Sequence, residues 1–558
     1  MSFKLTIFLL IILNFSFLFC HKCGADLFIK KLNAKADITP KENKKRKLAS
    51  VYTPINIKID YYVLDIQKNQ GLVSDSNYQS YKTELEKIAE YFKKIVSVQH
   101  ELFDRESLLE GIKESCYSSM TDVGEIDSYD LIVYPQVDTE EQYLSSATIA
   151  AASHCLLSEV SQRPIVGIIL LNKNLNSKKD LKHYIRNTIF HEFFHILGFN
   201  LMFFSKSYME NSYTYLNSPK LLEKAKIHFG CDDIKGIRLE DQGESGTVGS
   251  HWDARFMQGE LMIGEDYSEV VLSDMTLAFL EDLGYYKVNY YTGGLFRFGK
   301  NQGCSFFEKK CVYSGGTLFP NEFCYESNKP ICTGSLTSKG LCYIVKYKDD
   351  LLTNYRYFSD PKIGGKIMTD YCPISFFREY DDNYNYPMNC AYGKKENDDE
   401  IIGSNSICFE SSINLNSKKS ICYKMECDRV NKRIKVNIGQ KTIECNGTKY
   451  DLENPDDLKG TLTCPDYDMV CTSEKWCNNM FDCIEKESIP DENTYDYISD
   501  KDNLIKRDNA LINVDDSKKY EIDNLITRDD GENADEDDVK YIFPKFINYF
   551  ILFISILM

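Results

Sequence analysis

The sequence predicts an α+β protein whose first half alternates strands with helices and whose second half is loop-rich and held by disulfides. Two observations support this prediction. Between residues 50 and 300, apolar residues recur at period two in some segments and at helical spacing in others. From Cys304 to Cys483, 15 of the 20 cysteines fall among Gly, Asn, Ser and Tyr with little periodicity. A chain of 558 residues is long enough for two or three domains.

Individual elements of the first half follow from these periods. An alternation at 55–59 predicts a half-buried strand, and apolar runs at 131–134 and 165–171 predict two more. The 165–171 strand either offers an edge to an extended peptide or is a core strand. Helical spacing joins the apolar residues Tyr81, Leu85, Ile88, Phe92 and Ile95.

Composition limits the function. Twenty cysteines are typical of an oxidising compartment outside the cytosol. A net charge of −18 argues against nucleic acid as a partner. Much of that charge is local, because residues 484–540 carry 19 acidic and eight basic side chains. The chain is therefore expected to function in the secretory pathway or outside the cell.

The N-terminus has the pattern of an exported precursor. Lys4 precedes an apolar run from Leu5 to Phe19, which predicts a signal peptide at 1–20. A pro-segment is expected at 21–49, and its basic run at 44–47 is either a processing site or a solvated charge run. A first folded domain is then expected at 50–300 and a cysteine-rich domain at 301–485.

A helix that ends near Gly198 carries the strongest motif of the chain. His191 and His195 stand four residues apart, so that one face of the helix offers two imidazoles to one ion, with Glu192 beside them. Glycine at 198 suits the left-handed conformation that ends a helix. This pattern predicts a zinc site in which Glu192 is the general base.

A catalytic zinc ion needs a third protein ligand and an open position for water. Three residues after the helix glycine, where a histidine would be expected in the simple pattern, the chain has Leu201. His251 is the best candidate, because Met262 follows eleven residues later in a Glu-Leu-Met triplet that fits a methionine turn beneath the metal. His228 is the rival candidate.

These features resemble the leishmanolysin family of metzincin zinc peptidases, which carry a long insertion between the helix glycine and the third histidine. Further similar stretches are Arg163-Pro164, 277–286 and Gly303-Cys304-Ser305-Phe306, so that the resemblance covers about 50–485. It implies a metzincin-like catalytic domain with one zinc ion per chain on His191, His195 and His251. It also implies that Glu192 is the catalytic base and that Met262 supports the site. Two disulfides are implied, Cys116–Cys155 and Cys231–Cys304.

The resemblance also bears on latency. His21-Lys22-Cys23 is similar to the start of leishmanolysin-type pro-segments, in which a thiolate fills the open zinc position. Cys23 is therefore a candidate latency thiol. The chain has Gly24-Ala25 where a histidine usually follows, and signal cleavage after Ala25 would remove the thiol. Asn446, in Asn-Gly-Thr, is a candidate glycosylation site.

The C-terminus predicts attachment to a membrane. Residues 486–535 are an acidic stalk expected to be disordered, and 536–558 combine a polar to mixed spacer with a 13-residue apolar tail from Phe546. Small residues at 533–535 precede them, as in a signal for a glycosylphosphatidylinositol (GPI) anchor, which leishmanolysin itself is understood to carry. The expected location is the extracellular face of the plasma membrane, the alternatives being a transmembrane anchor or a secreted protein.

The predicted function is that of a zinc metalloendopeptidase that hydrolyses peptide bonds in extended polypeptides through a zinc-activated water. One alternative is a surface adhesion protein on a protease fold, with cleavage incidental. Another is a zinc hydrolase of small molecules. The complete set of His191, Glu192, His195 and His251 favours the peptidase.

Overall fold

The computed structural model describes most of the chain between residues 51 and 471, together with the short strands at 22–23 and 37–38. The gaps within 51–471 are 117–127, 140–143, 145–147, 174–181, 244–245, 266–269, 291–295, 314, 378–387, 392, 404, 418, 429, 446–448 and 455–457. The predicted signal peptide, most of the predicted pro-segment, Asn446, the predicted stalk and the C-terminal tail lie outside the described residues. Within the described residues, no helix combines the length and the apolar character needed to cross a bilayer.

The first half consists of a mixed sheet with helices and smaller strands around it. Its elements are β1 (Lys22–Cys23), β2 (Asp37–Ile38), β3 (Tyr52–Pro54), β4 (Ile57–Ile59), α1 (Tyr62–Asn69), α2 (Asp75–Ile95), β5 (Val96–Gln99), α3 (Arg105–Ser115), β6 (Leu131–Asp138), β7 (Thr148–Ser158), β8 (Pro164–Asn172), α4 (Lys182–Leu197), β9 (Ser207–Glu210), β10 (Tyr213–Leu216), α5 (Pro219–Phe229), β11 (Ile237–Arg238), α6 (Ala254–Met257), α7 (Asp274–Asp282) and β12 (Tyr286–Val288).

The central sheet has the order β7-β8-β6-β4. β4, β6 and β8 are parallel to one another, whereas β7 is antiparallel to β8. All residues of β8 are buried between its two neighbours. The hypothesis that 165–171 offers an edge is therefore wrong, and the alternative of a core strand is right. The outer side of β7 instead pairs in parallel with β1 at Thr148–Ala150 and with β2 at Leu157–Ser158.

Helix α4 packs against this sheet and against α2. A Cβ on Gly167 would lie 2.5 Å from Ile196 Cγ2, so glycine at 167 permits the close approach of α4 to β8. On the other side, Phe92 of α2 stacks on Phe193 with ring centroids 5.2 Å apart. A buried ion pair joins Glu84 to Arg186 at 2.6 Å. These contacts hold the motif-bearing helix rigidly in the core.

The second half contains more strand than the sequence predicted. Its elements are α8 (Ser305–Glu308), β13 (Pro330–Cys332), β14 (Lys339–Cys342), β15 (Val345–Lys346), the 3₁₀ turn Thr353–Tyr355, β16 (Ile363–Gly364), the 3₁₀ turn Ile367–Thr369, β17 (Ser375–Phe377), β18 (Ser406–Ser411), β19 (Lys419–Asp428), β20 (Arg433–Ile438), β21 (Lys441–Cys445), β22 (Lys449–Asn454), β23 (Leu458–Thr463) and α9 (Tyr467–Val470). Strands β18 to β23 form one antiparallel sheet in the order β21-β20-β19-β18-β23-β22.

That sheet has a core of its own, which includes Phe409, Tyr423 and Val436. The description of 301–485 as loop-rich therefore misses this sheet. The alternation of Ile434, Val436 and Ile438 with polar residues is a period-two signal that could have predicted β20. The main core, by contrast, continues from the first half across residue 300 to Phe306, Phe319 and Met368.

Eight disulfides join described residues. Cys116–Cys155 and Cys231–Cys304 are both present, which confirms the two pairs that the family resemblance implied. The other six are Cys311–Cys372, Cys324–Cys342, Cys332–Cys408, Cys390–Cys422, Cys427–Cys471 and Cys445–Cys464. The two remaining cysteines beyond residue 50, Cys477 and Cys483, lie outside the described residues.

Candidate metal centre

Helix α4 provides the first two imidazoles. His191 and His195 lie one turn apart on the same face, and their Nε2 atoms are 3.0 Å from each other. The helix ends directly after them, at Gly198, whose φ of 122° lies in the region that favours glycine. This turn allows Phe199 to direct its carbonyl oxygen back to His195 Nδ1 at 2.7 Å.

The third imidazole comes from a segment beyond the long insertion. His251 Nε2 lies 3.2 Å from the Nε2 atoms of both His191 and His195. Backbone hydrogen bonds position its segment on two sides: Glu240 N–H donates to the His251 carbonyl at 2.9 Å, and Trp252 N–H donates to the Met262 carbonyl at 2.9 Å. The structure therefore brings His191, His195 and His251 together.

The hydrogen bonds of the rings indicate which nitrogens carry protons. Each Nδ1 faces a backbone carbonyl oxygen: Leu261 for His191 at 2.7 Å, Phe199 for His195 and Thr247 for His251 at 2.9 Å. A carbonyl oxygen can only accept, so each Nδ1 is the protonated nitrogen and each Nε2 has a free lone pair. Three lone pairs that converge at 3.0 to 3.2 Å repel one another unless a cation lies between them.

The donor set fits zinc. Zinc–nitrogen bonds of about 2.0–2.1 Å in a tetrahedron place two nitrogens roughly 3.3–3.4 Å apart, close to the separations found here. Backbone carbonyls that accept from the other ring nitrogen, and so fix the tautomer of each ligand ring, are typical of such sites. Burial lowers the pKa of His191 to about 4 and of His251 to about 3, and the neutral imidazole is the form that binds metal.

Two further predicted residues are sequence neighbours of residues at the site, and both are buried. Glu192 follows His191 on α4 and is 1% exposed. Met262 is fully buried in the turn at 260–263, next to Leu261, whose carbonyl receives the His191 hydrogen bond. The sequence named both residues, but it could not name the three carbonyls that orient the rings, because every residue type carries a backbone carbonyl.

The rival ligand His228 lies away from the histidine cluster. His228 Nε2 lies 2.8 Å from the carbonyl of Phe298, its ring stacks on Phe296, and it is not part of the histidine cluster. Cys23 is described only by its backbone, which pairs with Ala150 of β7. Asn446 lies outside the described residues.

A second cluster of potential ligands was not predicted. Asp241, Asp253 and Asp370 lie close enough together to hold an ion. The guanidinium of Arg238, however, forms ion pairs with both Asp253 and Asp370. A cation therefore already sits among these carboxylates. The cluster ties the segment after His251 to the second half of the chain.

Three buried imidazoles that converge on one point, with a glutamate beside them on the same helix, define the kind of centre that zinc metallopeptidases carry. Comparison with known proteins gives the family. The family model of leishmanolysin matches residues 119–478, which is more than half of the chain. The chain therefore belongs to the leishmanolysin family, which is zinc-dependent.

Similar proteins come from trypanosomatids and from animals. A leishmanolysin homolog of Crithidia fasciculata is 29% identical over 361 residues, which cover 59% of this chain and 54% of the relative. Leishmanolysin of Leishmania chagasi is 27% identical over 378 residues, covering 62% of this chain and 60% of the relative. A leishmanolysin-like peptidase of Caenorhabditis briggsae is 28% identical over 421 residues, covering 61% and 60%. The chain thus spans between half and two thirds of these relatives.

Proposed function

We propose that this protein is a zinc metalloendopeptidase that hydrolyses peptide bonds in polypeptides outside the cell. The observation that carries the proposal is the convergence of three neutral, buried imidazoles beside Glu192. Family membership supports it, because metallopeptidase activity and polypeptide substrates belong to this family.

Each residue has a role in the proposed reaction. His191, His195 and His251 hold one zinc ion through Nε2. A zinc ion held there would supply Lewis acidity and would lower the pKa of a water molecule towards 7. Glu192 takes a proton from the attacking water and delivers it to the leaving amine. Met262 packs in the turn whose neighbouring carbonyl fixes His191.

Strand β7 is the proposed docking edge for an extended substrate. It lies at the outer side of the sheet, and α4 packs against it. In this structure β1 and β2 pair with it near its two ends. This supports a pro-segment at 21–49 that competes with substrate for β7 by strand addition, with Cys23 as a thiol that adds to latency.

The proposed location is the outer face of the plasma membrane. Proteins of this family are in general surface or secreted proteins. A signal peptide at 1–20, a stalk at 486–535 and a GPI signal at 536–558 would export this chain and hold its catalytic domain clear of the bilayer. No specific observation favours the alternative function as an adhesion protein.

Glu192→Ala tests the proposed chemistry. The variant should lose peptide hydrolysis by at least about 10²–10⁴-fold, the usual contribution of a general base, while it keeps the zinc content of the native protein. Glu90→Ala is the matched control, because Glu90 is an exposed glutamate on α2 that pairs with Lys93. Near-native turnover in Glu192→Ala would show that another group is the base.

A further inference from the structure

Glu260 is a fully buried carboxylate that receives four hydrogen bonds. Its Oε1 accepts from Ser273 N–H at 3.1 Å, from Ser273 Oγ at 2.9 Å and from Thr276 Oγ1 at 2.5 Å. Its Oε2 accepts from Met262 N–H at 2.5 Å. Burial raises the pKa of Glu260 to about 7 although these hydrogen bonds act to lower it. All four partners donate, which is the arrangement that a carboxylate requires.

One of these donors leads directly to a ligand ring. The N–H of Met262 and the carbonyl of Leu261 belong to the same peptide unit. While that N–H donates to Glu260, the carbonyl accepts the hydrogen bond of His191 Nδ1 at 2.7 Å. Glu260, a single peptide unit and His191 thus form one continuous hydrogen-bonded chain.

A second series of hydrogen bonds connects Glu260 to the segment that carries His251. Thr276 Oγ1, which donates to Glu260, accepts from Trp252 Nε1 at 2.8 Å. Trp252 directly follows His251, and its N–H donates to the Met262 carbonyl at 2.9 Å. Glu260 therefore connects the segments of two of the three ligands.

We propose that Glu260 is a positioning residue for the metal centre, which acts on His191 through the Leu261–Met262 peptide unit. This inference rests on the proposed zinc function. A carboxylate polarises a peptide whose N–H it accepts, and the polarised carbonyl is a stronger acceptor for His191 Nδ1–H. This raises the basicity of His191 Nε2, as a carboxylate bound directly to a ligand histidine does.

The peptide unit behind His195 provides a contrast. Its carbonyl belongs to the unit Phe199–Asn200, whose N–H donates to the neutral carbonyl of Gly198 at 2.8 Å. No charged group polarises that unit through its N–H. Of these two ligands, His191 is the one whose orienting carbonyl belongs to a peptide unit that donates to a buried carboxylate.

The test compares zinc affinity in Glu260→Gln and Thr276→Val. A glutamine cannot satisfy all four donors, because its amide nitrogen must face either Met262 N–H or Ser273 N–H. Thr276→Val removes the Trp252 arm but leaves the bond from Met262 N–H. Zinc dissociation constants are measured by competition with a chromogenic chelator, and thermal midpoints on the zinc-free proteins. The visible spectrum of bound Co²⁺ reports the ligand geometry.

We expect Glu260→Gln to bind zinc about 10–100-fold more weakly, with a changed Co²⁺ spectrum, and Thr276→Val to stay within about threefold of native. Zinc affinity within threefold of native in Glu260→Gln would overturn the inference. The inference would also be overturned if both variants lost zinc affinity equally and in proportion to their loss of zinc-free stability. That result would indicate a structural role alone.

The experiment also distinguishes a variant that does not fold from a native protein that binds no zinc. If Glu260→Gln does not fold, Glu260→Asp is used: weaker zinc binding than in Thr276→Val supports the inference, and native affinity overturns it. If the native protein itself binds no zinc, the proposed function fails, whereas native binding with an unaffected Glu260→Gln variant removes only the role of Glu260.

Discussion

The Nε2 atoms of His195 and His251 lie 3.2 Å apart, although 56 positions separate the two residues in the sequence. The intervening insertion contributes a small sheet of β9, β10 and β11, and the backbone after β11 pairs with the His251 segment. The insertion therefore both separates the ligands in sequence and holds the third ligand in place.

His251→Ala should remove metal binding and activity together. Loss of one of three nitrogen ligands leaves two imidazoles, which is fewer than catalytic zinc sites use. His228→Ala is the matched control, because His228 is a half-buried histidine that bonds to Phe298 rather than to the cluster. The measurement is zinc content with peptide turnover. Loss of zinc in His228→Ala and retention in His251→Ala would move the third ligand to His228.

Cys23→Ala should yield a precursor with measurable peptidase activity before any cleavage near residues 44–47. The thiolate would fill the position that water needs, so its removal weakens latency even while β1 and β2 still pair with β7. Turnover of a short fluorogenic peptide by the unprocessed variant is compared with that of the unprocessed native chain. An equally silent variant would show that the thiol has no role.

His154 should make the fold sensitive to acid. Its ring is buried against Phe203, neither nitrogen has a hydrogen-bond partner among the described residues, and burial lowers its pKa to about 4 from 6.5. Between pH 6.5 and pH 4, His154 is protonated in the unfolded chain and neutral in the folded chain. Stability is therefore lost as pH falls from 6.5 to 4, by up to about 3 kcal/mol.

His154→Leu removes this effect, because leucine does not titrate and leaves no hydrogen bond unmade. Thermal midpoints of the two proteins are compared at pH 7 and pH 4.5. The variant should lose less stability than the native protein over that interval. Parallel losses in the two proteins would exclude His154 as the source.

The anchor is tested on intact cells. A phosphatidylinositol-specific phospholipase should release the active protease into the medium, and the released chain should lack residues 541–558, because a GPI signal peptide is removed on attachment. Peptide mass spectrometry of the released protein checks the second point. Retention on the cells with the tail peptide still detectable would establish a transmembrane anchor instead.

Local patterns predicted the parts of the fold that depend on local spacing. Helix α4, with His191 and His195 on one face, and strands β6 and β8 all lie where periodicity placed them. Strand β7 was not predicted, because its run of alanines at 150–152 has low strand propensity. Its place follows from pairing with β8, which is a non-local property.

The sequence predicted only part of the candidate site, because the rest also depends on non-local structure. The choice of His251 over His228 rested on the Glu-Leu-Met triplet that follows it and on family resemblance, since sequence distance carries no information about how the insertion folds. The carbonyls of Leu261, Phe199 and Thr247 orient the rings through backbone conformation, which no residue type encodes. Glu260 was noted only as part of a methionine-turn triplet, and its link to His191 depends on the geometry of one peptide unit.

Hydrolysis of a denatured protein by the purified, processed ectodomain, before and after removal of zinc, tests the central claim most directly. If three histidines hold the ion on which peptide cleavage depends, a zinc chelator should abolish cleavage and added Zn²⁺ should restore it. Glu192→Ala, treated identically, should stay inactive throughout while it binds zinc. Cleavage that is insensitive to the chelator, or absent from the zinc-loaded native protein, would contradict the account.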